Sequence, residues 1–185
     1  MSLLPADALA HGIALGVSYG LLACGLVLVF RTNRVINLAH GETGAVGAAI
    51  LAKLVIDEHW PFLAALALVC VLGAALGAAL ELTVVRRLVD RGPVALLVGT
   101  LGIAQLLLVV QFLLPELNTG GKPYPTPFTE VLTIGPAHLG SPELLVLAVA
   151  PAVVVGLALL LTRTPLGLML RATADNREAA ELAGV

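Results

Sequence analysis

The chain has 185 residues, of which 59% are hydrophobic and 12% charged, with a formal net charge of −2 and a mean hydropathy of +1.02. That apolar share lies well above the soluble-domain range, while the net charge says little, because charge in a membrane protein matters by location; no nucleic-acid partner is expected. The composition thus excludes an ordinary soluble domain and points to the lipid bilayer as solvent.

The apolar residues come in blocks. Residues 12–30, 61–80, 92–115 and 144–162 contain no Asp, Glu, Lys or Arg, and in residues 35–52 Glu42 is the single acid or base. About 20 helical residues cross a hydrocarbon core of roughly 30 Å. The sequence predicts an all-α polytopic membrane bundle of about five transmembrane helices, near 8–30, 35–56, 61–82, 93–115 and 143–162. These make up a bundle over residues 1–163, followed by a cytoplasmic segment, 164–185, with a short coupling helix.

The first span is expected to be retained, because residues 1–11 carry Asp7 and no Lys or Arg, which is not the basic start of a cleaved signal. Arg31 and Arg34 follow it; Arg86, Arg87 and Arg91 follow span three; Arg163, Arg171 and Arg177 follow span five. Lys53 and Lys122 fall on the opposite side. The positive-inside rule then puts the N-terminus outside and the C-terminal segment in the cytoplasm. Five spans are consistent with that sorting.

Span two opens on INLAHGE, 36–42, a run that sets an amide, an imidazole and a carboxylate beside an apolar block. On a helix, Asn37, His40, Gly41 and Gly44 would share a face. Position places the run in the cytoplasmic third of the bilayer or in a bent lead-in to it. Two readings stay open: a polar knot tying helix ends together, or groups that gate or line a path. A metal or catalytic reading is weak, since the run is no HExxH and His11, His59 and His138 are scattered. Gly41, Gly44 and Gly47 recur every third residue, and Gly12/Gly16 and Gly73/Gly77 every fourth, as in close helix packing.

Between spans two and three, Trp60 suits the headgroup layer. Of the few polar residues inside spans, which include Ser18, Gln111 and Glu81, the candidates for lining a solute path are Tyr19, Thr100 and Gln105. Cys24 and Cys70 both fall in spans and read as packing residues. The Pro- and Gly-rich stretch from 115 to about 142 is an outer loop, with VLTI at 131–134 as a short strand. It serves either as a contact for an extracytoplasmic partner or as a lid. GETGAVG lacks the GK[ST] ending of a phosphate loop, and no other segment supplies one, so ATP hydrolysis would need a separate subunit.

In the C-terminal segment, Thr164-Pro165 reads as an N-cap with Pro at N1. Asp175 with Glu178 reads as a capping box, and Gly184 as the C′ residue, framing a helix over 176–183. A helix this short needs a docking surface, either its own bundle or another subunit.

Three stretches carry a family resemblance. GVSYGLLACGLVLVFRTNRVINLAHGETGAVGA (16–48) holds a Y-x-L-x-A-x-G pattern from Tyr19 to Gly25 and then INLAHGE; LLVGTLGIAQLLL (96–108) and TRTPLGLMLRATADNREAAELAGV (162–185) follow. Together they resemble the permeases of branched-chain amino acid ABC transporters. The resemblance implies a permease subunit, not an enzyme and without a cofactor, in the cell membrane. It implies Asn37, His40, Gly41 and Glu42 as signature or gating residues. The pattern Glu178-Ala179-Ala180-x-x-x-Gly184 resembles the EAA loop that engages the ATPase, which gives Asp175, Glu178, Ala179, Ala180 and Gly184 a coupling role. Implied partners are ABC ATPase subunits, a second permease subunit, an extracytoplasmic solute-binding protein and the lipid bilayer, with branched-chain or related amino acids as solutes. Urea or amides are alternative solutes, and a secondary transporter or channel with a His40–Glu42 relay is the alternative mechanism. Permeases of this family continue past the position of Val185, so the chain matches their N-terminal half to two-thirds.

Overall fold

The computed structural model describes residues 6–33, 36–113, 124–128, 131–134, 137–175, 177–182 and 184. The chain divides into two compact units: residues 1–34 with 128–185, and residues 35–127. The segment after α6 folds back onto α6 within the first of these units.

The first unit contains α1 (Ala6–Asn33), β1 (Leu132–Ile134), β2 (Ala137–Leu139), α6 (Ser141–Arg163), α7 (Pro165–Asp175) and α8 (Arg177–Leu182). Helix α1 packs on α6 and on β2. The strand expected at VLTI forms and pairs antiparallel with β2, Thr133 opposite His138. Gly140 caps α6 with Pro142 in its first turn, and His11 Nδ1 lies 3.0 Å from Glu143 Oε1.

The α6–α7 junction is built by Thr164. Its extended backbone ends α6, and its Oγ1 accepts the Gly167 N–H at 3.1 Å, capping α7 with Pro165 at N1 as the sequence predicts. Gly167 is buried, and a Cβ there would collide with Leu160 O and with Leu161 Cα and O. Backbone meets backbone at this corner, so only glycine fits.

The second unit contains α2 (His40–Ile56), α3 (Phe62–Leu80), a π-helical segment (Glu81–Val85), α4 (Arg86–Leu88), a 3₁₀ turn (Val89–Arg91) and α5 (Pro93–Leu113). Helix α2 packs on both α3 and α5. Leu51, Ala52, Ala65, Leu96 and Ala104 form the core. Gly47 is the tight point between α2 and α3, with Val69 Cγ1 3.3 Å from where its Cβ would stand. Gly12, Gly16, Gly41, Gly44, Gly73 and Gly77 have open space instead, so the expected close packing at their pairs does not form within either unit. Gly92, at φ +95°, breaks the chain sharply before Pro93 starts α5.

Among the described residues, four stretches are long and apolar enough to cross a membrane: Ala8–Arg31, Phe62–Arg91, Pro93–Leu113 and Ser141–Arg163. The protein is a multi-pass membrane protein of the expected all-α class. Two expected boundaries shift. Span three runs on to Arg91 through the π-helical segment at Glu81 instead of ending near 82. Span two begins as helix only at His40, and its 17 residues reach about 26 Å at 1.5 Å per residue, short of the roughly 30 Å core.

The candidate functional site at the start of α2

Asn37 is the reason α2 starts late. Its Oδ1 accepts the Ala39 N–H at 3.0 Å and its carbonyl accepts the His40 N–H at 3.3 Å. A short amide that satisfies nearby backbone offers the chain an alternative to helix. Asn37 therefore sits in a turn before the helix, and the expected single face through Asn37, His40, Gly41 and Gly44 is not formed. Helix α2 has no side-chain cap at Ala39; Thr43 Oγ1 donates to the Ala39 carbonyl at 2.8 Å.

The lead-in turn is tied to α5. The Leu38 N–H donates to Thr100 Oγ1 at 3.3 Å, and that hydroxyl donates onward to Leu97 O at 3.1 Å. Thr100 is 1% exposed. Of the three candidates for a path, Thr100 thus joins the cluster as a buried tie, Gln105 lies exposed on α5, and Tyr19 lies exposed in the other unit.

Glu42, half-buried, makes the second tie. Its Oε2 accepts from Gln111 Nε2 at 3.1 Å, and the same amide nitrogen donates to Leu107 O at 3.3 Å. Both amide hydrogens are then used. Gln111 is the residue that sequence reasoning passed over; its signal was a primary amide inside an apolar block. Along α5, Thr100 stands about 10 Å and Gln111 about 27 Å from Pro93, at 1.5 Å per residue. The ties therefore run from a third of the way along a membrane-crossing helix to near its C-terminal end. A carboxylate beside such a helix is costly unless it meets a donor, and Gln111 supplies one. His40 is half-buried and Gly41 exposed beside it.

Among the described residues, no three of His, Cys, Asp and Glu converge as metal ligands. The cluster offers hydrogen-bond donors and acceptors and one carboxylate.

In the C-terminal segment, α8 covers Arg177–Leu182 within the expected range. Gly184 has φ +82°, the left-handed conformation of a C′ glycine. Ala180 is buried and Ala179 exposed. Asp175 ends α7 and is exposed, while Asn176, Ala183 and the Glu178 side chain of the expected capping box lie outside the described residues.

Comparison with known proteins covers both regions. The family described as branched-chain amino acid transport system / permease component matches residues 8–185. The high-affinity branched-chain amino acid transport system permease protein BraD of Pseudomonas aeruginosa is 25% identical over 190 aligned positions, covering 96% of this chain and 61% of its own length. The chain thus spans under two-thirds of that curated relative. No solved structure matches it. With the family match running through INLAHGE and on to Val185, the chain belongs to the branched-chain amino acid transport permease family.

Proposed function

We propose that this chain is part of the permease subunit of an ATP-driven importer for branched-chain or related amino acids. The family match across residues 8–185 carries this reading. ABC ATPase subunits bind the cytoplasmic face, a second permease subunit completes the path, and an extracytoplasmic binding protein delivers the solute. The N-terminus is outside and the C-terminus in the cytoplasm, from the sorting of Arg and Lys.

In this reading Asn37, Thr100, Glu42 and Gln111 hold α2 against α5, and a helix that starts inside the bilayer can shift when the ATPases drive the transporter. Asp175, Glu178, Ala179, Ala180 and Gly184 form the coupling element. The exposed Ala179 and Leu182 give α8 a small apolar surface for a cleft on the ATPase. A secondary carrier has no use for such an element.

The test is uptake of leucine into proteoliposomes holding this chain with its ATPase, partner permease and binding protein. ATP-dependent uptake is expected. Uptake that persists without the ATPase would refute the reading.

A further inference from the structure

The first unit carries a groove that the polar cluster does not use and that shares only Asp175 with the coupling element. Its deep part is an apolar slot of about 380 Å³ between α1 and α6, lined by Ala23, Val27, Val154 and Leu157 among others. Its mouth is a more polar hollow of about 460 Å³, lined by Arg31, Arg171 and Asp175. The two are continuous, because Leu28, Arg31, Ala158 and Leu161 line both.

Three observations say what fits. The mouth holds two guanidinium groups against one carboxylate, and among the described residues neither arginine is in an ion pair. The slot leading from them is apolar and runs along two membrane-crossing helices, about 12 Å from Arg31 to Ala23 at 1.5 Å per residue. Helix α7, which brings Arg171, sorts polar from apolar side chains more sharply than α1, α2, α3, α5 or α6, yet Leu166, Leu168 and Met169 on it are exposed. That is the composition of a helix lying in the headgroup layer. A helix so placed would hold Arg171 near lipid phosphates, and Arg31, in the last turn of α1, is long enough to snorkel to the same layer.

We propose that this groove is a binding site for an anionic phospholipid. The phosphate lies between Arg31 and Arg171, whose planar donors suit it, and one acyl chain fills the slot past Ala158 toward Ala23. The tail gains little over bulk lipid, which is equally apolar. Selectivity therefore rests on the arginines, as in other basic pockets between membrane helices. Asp175 works against it by lowering the local positive charge.

The test is native mass spectrometry of the purified full chain in mild detergent, titrated with phosphatidylglycerol or phosphatidylcholine of matched acyl chains. Wild type is expected to retain phosphatidylglycerol roughly 10-fold better. Arg31→Gln with Arg171→Gln brings that ratio to about one, while Asp175→Asn raises it. Ala158→Trp, which fills the slot and leaves both charges, lowers phosphatidylglycerol retention. Retained helicity by circular dichroism qualifies each variant, and Asp175→Asn with Ala158→Trp decide the matter if the arginine pair variant does not fold. Equal retention of the two lipids by wild type would overturn the proposal. So would an unchanged ratio in Asp175→Asn, or displacement of phosphatidylglycerol by millimolar inorganic phosphate, which would mark a free-anion site. Chain dimers that disappear in Ala158→Trp, with no lipid preference, would assign the groove to a second copy instead. None of these outcomes depends on transport, so the proposed function stands or falls separately.

Discussion

The two units solve the same problem, holding helices together in an apolar solvent, in opposite ways. The second unit puts polar groups inside: Thr100 is 1% exposed, and Glu42 meets Gln111 across α2 and α5. Among the described residues, the first unit sets His11 against Glu143, near the starts of α1 and α6, and gathers Arg31 and Asp175, at the ends of α1 and α7, with Arg171 within α7. Its tightest point is a glycine against backbone at the α6–α7 corner. Lipid tails are as apolar as Leu, so helices in a membrane are joined by close backbone approach or by interhelical hydrogen bonds. A short helix such as α2 needs the second device; long helices such as α1 and α6 do not.

The largest effect should come from the corner. Gly167→Val drives side-chain atoms into the Leu160 and Leu161 backbone, and we expect a loss of at least about 2–3 kcal/mol, read as a lower unfolding midpoint in detergent. Gly16→Ala, in open space on α1, should be neutral or up to about 1 kcal/mol stabilising, since Ala is the better helix former. Equal effects of the two would deny that the corner is special.

Next comes the buried hydroxyl. Thr100→Val keeps the shape but leaves the Leu38 N–H without its acceptor, at a cost of about 1–3 kcal/mol. Its thermal midpoint should fall, whereas Gln105→Leu, at an exposed site on the same helix, should change it little. A double-mutant cycle of Glu42→Leu and Gln111→Leu should return a coupling of about 0.5–1.5 kcal/mol, in the range of interhelical hydrogen bonds in membranes. Gln111→Leu should be the more harmful single change, because it strands a carboxylate.

The smallest effect concerns Tyr124, whose Oη donates to Ala48 O at 3.1 Å and whose pKa burial raises. The folded chain keeps this proton after the unfolded chain releases it. The contribution is complete below about pH 10 and is lost as pH rises from there through the higher folded value. The stability difference between wild type and Tyr124→Phe should therefore shrink above that pH.

Much of this was legible in the residues. Charge-free blocks located the long helices, Thr164-Pro165 marked the start of α7, and INLAHGE with the C-terminal run identified the family. What was not legible depended on competition or on distance. A 3.6-residue repeat cannot reveal that Asn37 takes its neighbours' N–H groups and removes itself from the helix. Glu42 and Gln111 stand 69 residues apart in sequence, and nothing local pairs them. Gly167 carries no signal beyond being a glycine two residues after a helix-starting proline. The extension of span three depends on a π-helical segment at Glu81 that apolar periodicity does not encode.

The comparison between units predicts a division of labour, with coupling in the first and the polar tie in the second. The direct measurement is co-purification of the ATPase with wild type, Gly184→Asp, Glu178→Lys and Glu42→Leu in parallel. The account predicts that wild type and Glu42→Leu retain the ATPase, and that Gly184→Asp and Glu178→Lys release most of it. Retention by both tail variants, or release by Glu42→Leu alone, would contradict it.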